Sequence, residues 1–94
     1  MGLNKEKKSR VTSITIEHPP VNVLDIELLR ELDQELSACA ADGTTDVVVL
    51  RGAGTRAFSA GVDIRDHTRE KVPEMLEIVH RVIRKLLGLP QVTI

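Results

Sequence analysis

The chain has 94 residues, 13 lysines and arginines against 14 acids, one cysteine, one phenylalanine and neither tryptophan nor tyrosine. That length suits at most one small domain, and 41% hydrophobic with 29% charged residues argues against both disorder and a membrane-embedded chain. A net charge of -1 with so few aromatic rings removes the basic surface and the stacking platforms that nucleic acid requires, so nucleic acid is not expected as a partner.

Residues 1–10 carry Lys5, Lys7, Lys8 and Arg10 against Glu6 and read as a charged, solvated leader ahead of a domain spanning 11–94. Met1-Gly2 resembles a myristoylation start, but Glu6 stands where serine or threonine is required. No stretch has the length of apolar residues that spans a bilayer, and no signal-peptide core is visible, so a soluble cytoplasmic protein away from membranes is expected. With Cys39 alone, neither an intrachain disulfide nor a thiolate-rich zinc site can form.

Val11-Thr12-Ser13-Ile14-Thr15-Ile16 is β-branched and partly alternating, which predicts a strand stopped by His18-Pro19-Pro20. A helix follows, with Asp25 as N-cap, Glu27 in its first turn, Leu28, Leu29, Leu32, Leu36 and Cys39 on one face, and Gly43 at its end. Val47-Val48-Val49-Leu50 is a continuous apolar run that suits a strand buried on both faces. Pro73 fits the first turn of a second helix, whose apolar face is expected at Met75, Leu76, Val79, Ile83, Leu86 and Leu87. Gln91-Val92-Thr93-Ile94 begins a further strand. The order implies an α/β fold, and 94 residues do not supply the layers that cover both faces of a parallel sheet, so a truncated domain is expected.

Charge is uneven along the chain. Residues 11–50 hold one base, Arg30, among eight acids, whereas residues 51–94 hold eight bases and five acids. Two readings are open: an acidic helix face that meets water, or a basic second half that leans toward a phosphate-bearing ligand.

Between the second strand and the second helix lies a stretch rich in glycine and alanine, from Arg51 to Ile64. Gly52-Ala53-Gly54 opens like a dinucleotide fingerprint, with Ala57 at the third position. That motif should open a helix at once, and Thr55-Arg56-Ala57-Phe58-Ser59 is a poor helix start. No GxxxxGK[ST] is present, and Ala57-Phe58-Ser59-Ala60-Gly61 lacks the first glycine of the GxSxG nucleophile elbow. Small residues here allow either a tight turn beside a strand or backbone N–H groups open to a ligand carbonyl, the arrangement of an oxyanion hole.

Four stretches carry a family resemblance: Val21-Asn22-Val23-Leu24-Asp25 after Pro19-Pro20, Val47 to Gly52, Ala57-Phe58-Ser59-Ala60-Gly61-Val62-Asp63-Ile64, and Leu89 to Ile94. In this order they resemble the N-terminal part of the enoyl-CoA hydratase/isomerase (crotonase) superfamily. Gly61 to Thr68 and the helix containing Glu74-Met75-Leu76 look most like cyclohexa-1,5-diene-1-carbonyl-CoA hydratases of anaerobic aromatic degradation.

The resemblance implies an incomplete crotonase-like ββα spiral and the addition of water to an unsaturated acyl-CoA through an enolate. Isomerisation, ring hydrolysis and a noncatalytic CoA-binding or assembly fragment are the alternatives. It implies that the backbone N–H of Ser59 is one of two donors to the thioester carbonyl. Val21, Val23, Ala57, Ala60, Gly61, Val62, Asp63 and Ile64 match positions around the acyl-CoA. Pro20 stands where relatives often carry a base toward the phosphates; Arg56 and Arg65 are each open to two readings, a substitute for that base or a solvated surface residue. The second donor and the catalytic acids are expected on segments after the strand begun at Val92. CoA enters as part of the substrate, so neither a resident cofactor nor a metal is expected, and the family's trimers or hexamers are the expected assembly. Asp63 and Asp66 read as caps for N–H groups near a helix entry; His18 reads as a strand-end residue, His67 as an exposed loop residue or, in the dienoyl-CoA reading, one near the ligand, and His80 as a packed or surface helix residue, without metal-site spacing.

Overall fold

The computed structural model describes residues 2–94. Strands β1 (Gly2–Lys8) and β2 (Val11–Glu17) lead to helix α1 (Ile26–Ala41) and strand β3 (Val47–Gly52). A single 3-10 turn (Ile64–Asp66), helix α2 (Val72–Gly88) and strand β4 (Val92–Thr93) follow. The sheet order is β1-β2-β3-β4. β1 and β2 are antiparallel, with Gly2 opposite Glu17 and Lys8 opposite Val11. β2 and β3 are parallel from Val11 opposite Val47 to Ile16 opposite Gly52, and β4 extends the sheet in parallel beside Val47 and Val48.

The charged leader is therefore a strand. Its side chains from Asn4 to Lys8 are exposed, so it shows no apolar alternation and is held by backbone pairing with β2. Ser9 turns the hairpin at φ 59°, in the left-handed region that two-residue connections use. Ion pairs from Lys5 to Glu35 (3.0 Å) and from Lys7 to Asp42 (3.1 Å) tie it to the α1 region.

β2 alternates, placing Thr12, Ile14 and Ile16 against the helices and leaving Val11 on the opposite, more open face. In β3 Val48 is fully buried, whereas Val47, Val49 and Leu50 are half-buried. Burial on both faces was expected for β3, but both helices contribute to the core that contains Ile14 and Val48, on the same side of the sheet.

Helix α1 follows its sequence pattern. The Asp25 carboxylate accepts from the Leu28 N–H at 2.7 Å, and Leu28, Leu29, Leu32, Leu36 and Cys39 are buried. The helix closes at Asp42, one residue before Gly43, with the Asp42 N–H donating to the Cys39 carbonyl. Asp42 also accepts from the Thr44 N–H and from the hydroxyls of Thr44 and Thr45, and these bonds hold its carboxyl well below the usual carboxylate range.

Helix α2 turns a different edge to the core from the one its spacing suggested. Met75, Ile78 and Val82 are buried, Val79 and Leu86 pack at the margin, and Leu76, Ile83 and Leu87 are exposed by 44%, 47% and 82%. Apolar residues surround more than one face of this helix, so periodicity alone leaves its rotation undetermined. Charge settles part of it: Asp33 of α1 lies 2.6 Å from Lys85 and 3.6 Å from Arg81, and Arg30 pairs with Glu74. The acids of α1 thus meet bases of α2 within the same chain.

Leu36 is fully buried between the sheet and α2. Leu36→Ala should lower unfolding free energy by about 2–5 kcal/mol in urea titrations followed by circular dichroism. A loss below about 1 kcal/mol would contradict this placement of the core.

Candidate functional site

Beyond β3 the chain loses regular structure and folds against the segment between β2 and α1. Gly52 makes this approach possible. A Cβ there would lie 2.6 Å from the Phe58 Cα and closer still to its carbonyl oxygen, so the loop presses directly on the end of the strand.

Asn22 holds the two segments together. It is 2% exposed and adopts φ 57°, a left-handed conformation that asparagine tolerates better than most residues. Its Nδ2 donates to the carbonyls of Ala53 (3.0 Å), Ala57 (3.1 Å) and Phe58 (3.2 Å), while its Oδ1 accepts from the His18 N–H. Backbone bonds continue the junction from Ala60 N–H to Val21 carbonyl (2.8 Å), Leu24 N–H to Gly61 carbonyl (2.8 Å) and Asp63 N–H to Leu24 carbonyl (2.9 Å). Leu24 and Val62 form a parallel bridge.

Ser59 sits inside this junction. Its hydroxyl donates to the Asn22 carbonyl at 2.7 Å and accepts from the Gly61 N–H at 3.1 Å. A hydroxyl engaged on both sides by backbone groups is a structural link rather than an activated nucleophile. Among the described residues, the Ser59 N–H has no acceptor, and Gly61 at φ 99° turns the chain just beyond it.

The residues expected around a ligand fall into two facing segments. Val21 and Val23 flank Asn22, and Ala57, Ala60, Gly61 and Val62 lie across the junction, all half-buried except the exposed Ala60. Ile64 is 83% exposed. Asp63 is buried and accepts from the Arg65 N–H (2.9 Å), Nε (3.0 Å) and Nη2 (2.5 Å), so its carboxylate faces a guanidinium. These bonds lower its pKa to about 2. Asp66 accepts from the Ile26 N–H at 3.0 Å and thereby caps α1 across the fold, a more distant partner than a local helix entry provides.

His18 makes a 2.6 Å contact from Nδ1 to the Val23 carbonyl, His67 is an exposed loop residue, and His80 lies on the exposed surface of α2. Among the described residues, no group of three or more histidine, cysteine, aspartate or glutamate side chains is gathered to hold a metal. A 630 Å³ groove lies between the C-terminal halves of α1 and α2, away from Asn22, and two of its three bases, Arg81 and Lys85, face Asp33 while the third, Arg84, is exposed.

Asn22 belongs to no side-chain pattern in the sequence, and its residue type is the usable signal: a left-handed backbone site that needs donors and an acceptor favours asparagine. Gly52→Ala should displace the Ala57–Ser59 backbone and lower stability by about 1–3 kcal/mol, seen in urea titrations and in amide shifts of residues 57–61. Unchanged shifts and stability would contradict the close approach. Because the folded pKa of Asp63 is depressed, its stabilising effect is present above pH about 4 and is lost as pH falls toward about 2. Asp63→Asn should therefore flatten the acid limb of stability against pH between those values; an acid limb identical to that of the unaltered chain would contradict the Asp63–Arg65 assignment.

Residues 6–94 match a family model described as enoyl-CoA hydratase/isomerase. Among curated relatives, a probable enoyl-CoA hydratase of Rhizobium meliloti is 42% identical over 62 residues, 65% of this chain and 24% of that protein. The mitochondrial 3-hydroxyisobutyryl-CoA hydrolase of Danio rerio is 38% identical over 61 residues, 64% of this chain and 16% of that protein. The crystal structure of an enoyl-CoA hydratase from Bacillus anthracis superposes with a TM-score of 0.92 at 26% identity, covering 99% of this chain and 38% of that one. The chain thus spans well under half the length of these proteins, and its sheet with two helices is a portion of the crotonase fold. The chain belongs to the enoyl-CoA hydratase/isomerase family.

Proposed function

We propose that this chain is the acyl-CoA-binding portion of a crotonase-type enzyme, with the Ser59 N–H as one donor to the thioester carbonyl. The observation that carries this reading is the engagement of the Ser59 hydroxyl, which fixes the residue while its N–H is left without an acceptor among the described residues. A donor fixed before the ligand arrives stabilises negative charge growing on a carbonyl oxygen without reorganising during the reaction. Polarisation makes the β-carbon of an unsaturated thioester electrophilic; water adds there as a general base takes its proton, the Cα=Cβ pair moves into the enolate, and a general acid then protonates Cα.

In this reading Val21, Val23, Ala57, Ala60, Gly61, Val62, Asp63 and Ile64 border the acyl-CoA. The small residues among them, half-buried Ala57 and Gly61 and exposed Ala60, give a ligand room to approach the backbone. Arg65 is engaged by Asp63, so exposed Arg56 is the better placed of the two bases for a phosphate. The second donor and the acids that handle protons belong to segments beyond those present here. The substrate is an unsaturated acyl-CoA, with a cyclic dienoyl-CoA as the narrower proposal. CoA arrives with the substrate, no resident metal or redox cofactor takes part, and the working enzyme is a cytoplasmic trimer or hexamer. Likeness to a 3-hydroxyisobutyryl-CoA hydrolase favours a second reading, thioester hydrolysis, which draws on the same carbonyl polarisation.

Calorimetric titration of the chain with butyryl-CoA and with free CoA tests the binding role. Butyryl-CoA should bind about 2- to 10-fold more tightly, the worth of one hydrogen bond, and equal affinities would overturn the Ser59 assignment. Hydration of crotonyl-CoA by the 94 residues alone should be undetectable; measurable turnover would show that the general acid and base lie within this chain.

A further inference from the structure

We infer that Asn22 is a positioning residue for thioester recognition, setting where the Ser59 N–H points through its amide and carbonyl bonds to the facing loop. This inference rests on the proposed acyl-CoA role of Ser59 and concerns a residue that would not touch the ligand's reacting atoms.

The geometry connects Asn22 to Ser59 from both sides. Its Nδ2 gathers the carbonyls of Ala53, Ala57 and Phe58, the last of which belongs to the peptide unit that carries the Ser59 N–H. A peptide unit is planar, so fixing the Phe58 carbonyl oxygen fixes the direction of the Ser59 N–H on its other side. On the far side, the Asn22 carbonyl accepts the Ser59 hydroxyl, and the Ala60 N–H donates to the carbonyl of neighbouring Val21. Asn22 is itself held by the His18 N–H on Oδ1 and by its own N–H on the His18 carbonyl. Three carbonyls share the two donors of one buried NH2 group, and losing it would leave all of them without that donor, which is costly for a buried acceptor.

Asn22→Gly separates side chain from backbone, since glycine accepts the positive φ and removes every side-chain bond. The preference of the chain for butyryl-CoA over free CoA should fall about 3- to 10-fold, into the range of a lost hydrogen bond, while the affinity for CoA itself stays unchanged. Ala60 and Gly61 amides should exchange faster with solvent, with β2 and α1 amides unaffected. Ser59→Ala provides a milder second variant, cutting the hydroxyl link but keeping the N–H, and should give a smaller loss in the same ratio.

A parallel loss of butyryl-CoA and CoA binding would overturn the inference, as would an unchanged ratio in a folded Asn22→Gly chain. Unfolding of both variants would also overturn it, since Asn22 would then determine the whole fold rather than the aim of one N–H. If the unaltered chain shows no preference for the thioester, the proposed function fails and hydrogen exchange decides the positioning role separately. Selective acceleration at Ala60 and Gly61 supports it, and unaltered exchange there refutes it.

Discussion

Three backbone carbonyls, those of Ala53, Ala57 and Phe58, converge on the amide nitrogen of one buried side chain, Asn22. The rest of the irregular region depends on that convergence. A loop leaving the end of a parallel strand turns its carbonyls inward, where each would cost about 1–3 kcal/mol if left without a donor. The two N–H donors of one primary amide are shared among the three, and Gly52 leaves room for the loop to come close enough. From that junction the Ala60, Gly61 and Asp63 backbone bonds run outward toward α1, whose first turn is capped by Asp25 from its own strand-to-helix connection and by Asp66 from the opposite segment. The loop and the helix are consequently one unit, although 31 to 36 residues separate Asn22 from its amide's partners.

Charge serves assembly in the same way. The acidic stretch around α1 and the basic stretch around α2 meet as Asp33 with Arg81 and Lys85, Arg30 of α1 pairs in the opposite sense with Glu74 of α2, and Lys5 of the first strand reaches Glu35. Most of these groups are partly exposed, so each pair contributes little alone. Their larger effect is on orientation, because α2 has apolar residues on more than one face and the pairs favour the rotation that buries Met75, Ile78 and Val82. Four of the eight bases in residues 51–94, Arg65, Lys71, Arg81 and Lys85, thus pair with the chain's own acids, while Arg51, Arg56, Arg69 and Arg84 stay exposed.

Local signals in the sequence locate most of the architecture. The β-branched run of β2, the Asp25 cap with leucines at helical spacing, and Pro73 at the start of α2 each act over a few residues, and each is where its pattern places it. β1 was illegible for a physical reason: an edge strand with exposed lysines satisfies its backbone by pairing and needs no apolar alternation. The rotation of α2 was illegible because two faces compete in hydrophobicity. At the candidate site the small residues from Ala57 to Val62 announced close backbone packing, and their family resemblance pointed to acyl-CoA. The part of Asn22 was hidden because its partners are carbonyls, which every residue has and no side-chain pattern reveals.

The site that emerges is a held backbone rather than a set of reactive side chains. Ser59 gives its hydroxyl to the fold, Asp63 gives its carboxylate to Arg65, and among the described residues the Ser59 N–H is left without an acceptor. Such a surface suits a ligand whose carbonyl takes on negative charge, in keeping with membership of the enoyl-CoA hydratase/isomerase family. The most direct test is the amide spectrum of the isotopically labelled chain, titrated with butyryl-CoA and, separately, with free CoA. A downfield move of the Ser59 amide proton with butyryl-CoA and none with CoA is the predicted result; a Ser59 resonance that responds to neither, or equally to both, would contradict thioester recognition at this N–H.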